Sequence, residues 1–112
     1  MGTGGRPRST ATVMPPAIYL PEAGDDIADA RAGYEARATG LGDHFLEAVH
    51  RAVVRIEGNP LLYGEIAPGI RACLTRRFPF VVYYREEPNQ VVVVAVRHGH
   101  DDPAIWQSRV GE

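Results

Sequence analysis

The chain has 112 residues, 45% hydrophobic and 23% charged, which fits one domain with a single core and excludes an intrinsically disordered protein. A formal net charge of -2 and a pI of about 6.1 exclude attachment to nucleic acid through bulk positive charge. All twelve basic residues are arginine, so neither Schiff-base chemistry nor a lysine-dependent phosphate loop is available; with Cys73 alone, no internal disulfide, Cys-based zinc site or CxxC redox pair can be built.

Residues 1–13 are rich in Gly, Thr, Arg and Pro and offer too little apolar surface to order themselves. They are expected to form a flexible tail, with Met14 an alternative initiator, ahead of a single domain over 14–112. No apolar stretch follows Arg6 and Arg8, as a secretory signal would require, and the longest apolar run, Val91 to Val96, is six residues against the roughly 18 of a membrane span. With the free thiol, these features predict a cytoplasmic protein without membrane contact.

Ala17-Ile18-Tyr19-Leu20 suits a short strand closed by Pro21. Ala23, Ile27, Ala30 and Tyr34 then recur as one stripe of a helix whose first turns carry Glu22, Asp25, Asp26 and Asp29, complementing the helix dipole. Thr39-Gly40-Leu41-Gly42 stops it. A second helix is predicted from about Asp43, as N-cap, to Glu57, burying Leu46, Val49, Val53 and Ile56 with Phe45 and Ala52 widening the face. Gly58-Asn59-Pro60 ends it.

The second half reads as a sheet. Ile70, Ala72 and Leu74 alternate with Arg71, Cys73 and Thr75, followed by Arg76-Arg77, so this strand should have one wet face. Phe78-Pro79 turns the chain, Phe80 to Arg85 forms the next strand, and Glu86-Glu87-Pro88-Asn89 supplies a hairpin. Val91 to Val96 lacks alternation and is β-branched almost throughout, the pattern of a central strand covered on both faces. The fold class is therefore α+β: an antiparallel helical hairpin on a mostly antiparallel four-stranded sheet, in the order β-α-α-β-β-β.

Charge is unevenly divided. Residues 14–68 hold nine acids and four arginines, a balance of -5, whereas residues 69–109 hold six arginines and four acids, a balance of +2. Arg71, Arg76, Arg77, Arg85 and Arg97 all fall in the strand region, where converging guanidinium forks would suit phosphate or carboxylate; parity puts Arg71 and Arg77 on one side and Arg76 on the other. His98 and His100 share a face of an extended segment, but no further ligand group is identifiable, so no metal or other cofactor is expected. Asp102-Pro103 suits the cap of a final turn, Trp106 the sealing of the sheet, and one of Tyr83 and Tyr84 the core. Cys73 has no histidine partner that would make it a nucleophile.

Several joined segments resemble the RelE/ParE toxins of bacterial type II toxin–antitoxin systems: Leu20-Pro-Glu-Ala23, Tyr34-Glu35, Gly40 to Phe45, Asn59 to Tyr63, Ile70-Arg71 through Arg76-Arg77-Phe-Pro-Phe80, Val82-Tyr-Tyr84, Val96-Arg-His98-Gly99, and Asp102-Pro103 with Trp106 and Arg109. The resemblance implies a toxin silenced by a cognate antitoxin, in a hetero-oligomer with it. Growth would be inhibited either by binding DNA gyrase, as in the ParE-like branch, or by cleaving mRNA on the ribosome, as in the RelE-like branch. For cleavage, the resemblance carries over Arg71, Arg77, His98 and, more weakly, Tyr84 as catalytic residues. For partner binding the candidates are Arg71, Arg76, Arg77, Arg85, Arg97 and Trp106. Where many relatives have Arg before the Asp-Pro pair, this chain has Asp101, preceded by His100, which places like charge beside any bound phosphate. That departure favours the ParE-like reading; the alternatives are an endoribonuclease and a non-toxic antitoxin-binding module.

Overall fold

A computed structural model describes residues 16–110; the expected 1–13 tail lies outside the described residues. The elements in chain order are β1 (Ile18–Tyr19), α1 (Pro21–Arg37), α2 (Leu41–Gly58), β2 (Glu65–Ala67), β3 (Ile70–Leu74), β4 (Phe80–Glu87), β5 (Gln90–His98) and α3 (Ala104–Val110). The α+β class and the helical hairpin are as expected, but the sheet has five strands, in the order β1-β5-β4-β3-β2. The additional strand, β2, is too short and irregular to show alternation in the sequence. It pairs antiparallel with β3 across a register shift, while β1 pairs in parallel with β5.

The helical hairpin covers the inner face of the sheet. Ala23, Phe45, Val49, Ala52, Val53 and Ile56 pack on Cys73, Val82, Tyr84, Val91, Val93 and Val96, with Ile27, Ala30 and Tyr34 partly buried beside them. Leu46, expected in this stripe, is 40% exposed, because the buried arc of α2 is centred on Phe45, Val49, Ala52 and Ile56. On β3 the helices cover the Cys73 side, so Leu74, at the outward parity, is 67% exposed. The strand β5 is covered on both faces, though it lies second in the sheet rather than at its centre. Its outer face, with Ile70, packs against Trp106 of α3, the helix that replaces the expected final turn.

The start of α2 also differs from the sequence reading. The helix begins at Leu41, and Asp43 is not its cap but pairs with Arg31 of α1 at 2.6 Å. Glu35, near the end of α1, takes the capping role: its carboxylate accepts the amides of Gly40 at 3.0 Å and Gly42 at 2.9 Å. Gly40 turns the chain at φ 89°, a conformation open to glycine. Gly42 sits where the two helices approach, and a Cβ there would lie 2.7 Å from the Arg31 carbonyl oxygen.

Asp26 is the second unforeseen contact. Its side chain, 4% exposed, accepts the Val96 amide at 3.0 Å, Arg97 Nη1 at 2.9 Å, and both terminal nitrogens of Arg109, at 2.7 and 3.1 Å. Burial alone would raise its pKa, but the hydrogen bonds from Arg109, Val96 and Arg97 outweigh burial and hold the carboxyl below its ordinary value. A depressed folded-state pKa gives stability that is fully present above the unfolded value of about 3.9 and is lost as pH falls through the folded value.

Asp26→Asn is accordingly expected to cost about 3 kcal/mol at pH 7, since Arg97 and Arg109 lose their counter-ion, and to flatten the fall in stability on acidification below about pH 4. Urea unfolding at a series of pH values measures both effects. Gly42→Ala is expected to cost about 1–3 kcal/mol by forcing the hairpin apart, read in the same titration.

Candidate functional site

The turn between β3 and β4, the last turn of α1 and the end of β5 meet at one end of the sheet. Thr75, 6% exposed, organises the turn: its amide donates to the Phe80 carbonyl at 2.9 Å, and its hydroxyl lies 2.9 Å from the Phe78 carbonyl and 3.1 Å from that of Phe80. Arg76 and Arg77 project from this turn and are exposed; Arg77 adopts φ 72°. The turn is stitched to β5 by the Gly99 amide, which donates to the Pro79 carbonyl at 2.8 Å.

Beneath these arginines lies an aromatic cluster. Tyr34 of α1 is 5.0 Å from Phe78 and 5.3 Å from Phe45, and Phe80 is 4.9 Å from Phe45, all measured between ring centroids. Phe80 continues the cluster to His98 at 5.6 Å, and His98 to His100 at 5.3 Å. Arg37 lies over the Tyr34 ring, 5.3 Å from its centroid, a cation–π arrangement that holds the guanidinium at this end. Among the described residues, Arg31, Arg51, Arg85, Arg97 and Arg109 are each ion-paired, and Arg55 and Arg71, without a carboxylate, donate to the carbonyls of Leu74 and Tyr63, whereas Arg37, Arg76 and Arg77 have neither kind of partner. The sequence reading missed Arg37, because nothing in the local pattern shows that the end of α1 reaches the β3–β4 turn.

The other expected site residues are elsewhere. Arg71 is half-buried and donates to the Tyr63 carbonyl at 2.6 Å. Its register partner Tyr84 is fully buried, its hydroxyl donating to the Pro60 carbonyl; burial pushes that hydroxyl up to about 12, with nearby Arg71 opposing. Arg85, one residue further along β4, pairs with Glu87 at 2.7 Å. Phe80, at the turn, precedes Arg85 by five residues, roughly 17 Å of strand. The five strand-region arginines therefore do not share a face. The parity that joined Arg71 to Arg77 fails because Arg77 lies in the turn, beyond the end of β3.

Arg97 stands near the turn, opposite Val81, but Asp26 holds it at 2.9 Å, and Asp101 lies 3.0 Å from its Nε without hydrogen-bond alignment. Asp101, whose charge counts against a bound phosphate, thus neutralises an arginine of the protein itself. Trp106, expected at a partner surface, is 5% exposed and stacks on Tyr83 with centroids 4.8 Å apart. Asp102 caps α3 through the Ala104 amide at 2.9 Å, as the Asp-Pro pair suggested. His98 is half-buried, and its Nδ1 accepts the His100 amide at 3.1 Å. Among the described residues no group of three His, Cys, Asp or Glu side chains is placed to hold a metal ion.

A second surface feature is an open groove lined by Tyr19, Gly24, Ile27, Leu46, Val49 and His50, where α1, α2 and β1 meet. It is apolar, and it lies on the helical half of the chain, whose charge balance is negative. Among the described residues no helix is long and apolar enough to cross a membrane.

A search of curated proteins finds no match. A solved chromosomal ParDE TA system from P. aeruginosa shares the fold with a TM-score of 0.56 and 17% sequence identity, the alignment covering 78% of this chain and 97% of that one. The family profile described as "ParE toxin of type II toxin-antitoxin system, parDE" matches residues 17–103. That match spans most of the sequence and nearly all of the described fold, and the chain therefore belongs to the ParE toxin family of type II toxin–antitoxin systems.

Proposed function

We propose that this chain inhibits growth by binding a macromolecular target, DNA gyrase, in the cytoplasm, and that a cognate antitoxin silences it by covering the cationic end of the sheet. The observation that carries this reading is the gathering of Arg37, Arg76 and Arg77, exposed cations with neither a carboxylate nor a carbonyl partner among the described residues, around one aromatic cluster beside His98. Guanidinium groups that face water at low local acidity attract an acidic segment over about a Debye length and can grip its carboxylates bidentately. An antitoxin segment carrying acids and apolar side chains matches that end, ordering as it binds.

Binding rather than cleavage is supported by the placement of the four residues carried over for catalysis. A 2'-hydroxyl attack on an RNA phosphodiester needs its acid, base and cations around one phosphate. Arg77 and His98 lie at the turn end, whereas Arg71 and the buried Tyr84 are paired with each other further along the strands. Asp101 and Asp26 also neutralise Arg97, the arginine adjacent to His98.

Induced expression should arrest growth, and co-expression of the cognate antitoxin should relieve the arrest. The purified chain should inhibit gyrase supercoiling without producing ribosome-dependent mRNA fragments, and His98→Ala should leave toxicity intact. Cleavage that His98→Ala abolishes would reverse this reading, and absence of any toxicity would favour a module that only binds antitoxin. Arg77→Glu should weaken antitoxin binding by roughly 10-fold, about 1.4 kcal/mol, with the difference shrinking at high salt. Calorimetric titration at two ionic strengths measures this; unchanged affinity would remove Arg77 from the interface.

A further inference from the structure

The turn between β3 and β4 uses its acceptors and leaves its donors free. The Thr75 hydroxyl lies between the carbonyls of Phe78 and Phe80, at 2.9 and 3.1 Å, and the Phe80 carbonyl also accepts the Thr75 amide. The Pro79 carbonyl accepts the Gly99 amide. By contrast, the amides of Arg76, Arg77 and Phe78 meet no acceptor among the described residues.

Arg77 sets the direction of those amides. Its φ of 72° is the left-handed conformation that favours glycine, and Arg76 before it does not share it. A positive-φ residue placed after a negative-φ one turns successive amides toward one side, and such a row of N–H groups makes a concavity for an anion. Glycine would adopt this turn without strain, yet the position carries an arginine, which sets a cation beside the amides it orients. Arg76 is exposed next to it, and Arg37 stands over Tyr34, whose ring packs on Phe78 of the turn.

We propose that this turn is an oxyanion site, built from the backbone amides of Arg76, Arg77 and Phe78 with three guanidinium groups around it, and that it takes one carboxylate of an acidic partner segment. The carboxylate's source rests on the reading that an acidic antitoxin segment covers this end; the oxyanion site does not depend on it. A peptide carboxylate fits better than a nucleic-acid backbone. A nucleic acid brings a train of phosphates, and those beyond the turn would meet a helical half whose charge balance is -5. A peptide brings its charge to one point. The engaged carbonyls hold the turn formed before the ligand arrives, so the oxyanion only replaces water on amides already aimed at it.

Acetate and dimethyl phosphate, both monoanions, separate the two ligand classes when titrated into the isotope-labelled full chain at constant ionic strength. Acetate should shift the amide resonances of Arg76, Arg77 and Phe78 saturably, and should bind more tightly than dimethyl phosphate because its oxygens are the more basic acceptors. Arg77→Gly removes the guanidinium but keeps the left-handed turn, so the shifts at positions 76, 77 and 78 should persist with several-fold weaker affinity. The cognate antitoxin should displace acetate. Shifts that never saturate, or that vanish in Arg77→Gly, would overturn the backbone site. Tighter binding of dimethyl phosphate would overturn the choice of a carboxylate. Acetate shifts that remain with antitoxin bound would remove the antitoxin from this site while leaving the oxyanion site in place.

Discussion

The carboxylate of Asp26 ties the three layers of the molecule together. A carboxylate taken out of water without partners costs several kcal/mol, so a helix carrying one into a core interface is tolerated in only those arrangements that supply its donors. Here the donors come from the backbone of β5 at Val96, from Arg97 on the same strand and from Arg109 on α3. The position of α1 along the sheet, and the seating of α3 on the opposite face, are fixed together by one side chain. Arginine suits this role where lysine would not: the guanidinium of Arg109 spans both carboxylate oxygens at once.

The same contact closes an exposed sheet edge. The strand β1 pairs with only Val92 and Val93, so β5 continues beyond it with unpaired backbone groups. Asp26 satisfies the Val96 amide and Arg109 the Val94 carbonyl, two positions that a longer β1 would otherwise fill. An open edge beside a run of valines is a template for pairing with another chain. Covering it with a charge pair both satisfies the hydrogen bonds and makes strand addition unfavourable. Nearby, the register shift opposite Tyr83 and Tyr84 leaves Val94 without a partner and turns both Val94 and Ala95 to the outer face. That irregularity accounts for a valine run without alternation: the outer face stays apolar along β5, and α3 is needed to cover it.

Periodic features were legible in the sequence because burial repeats along an element. Ala23, Ile27, Ala30 and Tyr34 mark the packed side of α1, and Val91 to Val96 mark a doubly covered strand. Contacts set by a single distant partner were not legible. Asp26 reads as one of several acids in the first turns of α1, and only its register against Val96, seventy residues later, separates it from exposed Asp25 and Asp29. Asp43 has the residue type of an N-cap, yet Glu35 does the capping, since the αL turn at Gly40 folds α2 back onto α1. Leu74 follows the strand alternation correctly; what alternation does not say is which side the helices will cover. The candidate site was partly legible: Arg76, Arg77 and His98 do stand at one end, but Arg37 joins them from a helix, and Arg71 and Arg85 belong to the other end.

The charge arithmetic fails for a related reason. Dividing the chain at residue 68 gives a negative helical half and a positive sheet half, which suggests one cationic face. In the folded molecule Asp26 crosses that division and neutralises Arg97 and Arg109, Asp101 adds to the cover on Arg97, and Glu87 takes Arg85. What stays without a carboxylate around the turn is Arg76 and Arg77 from the positive half and Arg37 from the negative one, together with Arg55, whose guanidinium donates to the Leu74 carbonyl at the end of β3. A surface potential depends on which charges the fold leaves uncompensated, and that is settled by pairings between distant elements rather than by composition. The net charge of -2 is therefore compatible with a strongly cationic end, because the acids that produce it lie largely on the helical hairpin or are held in ion pairs and caps within the protein.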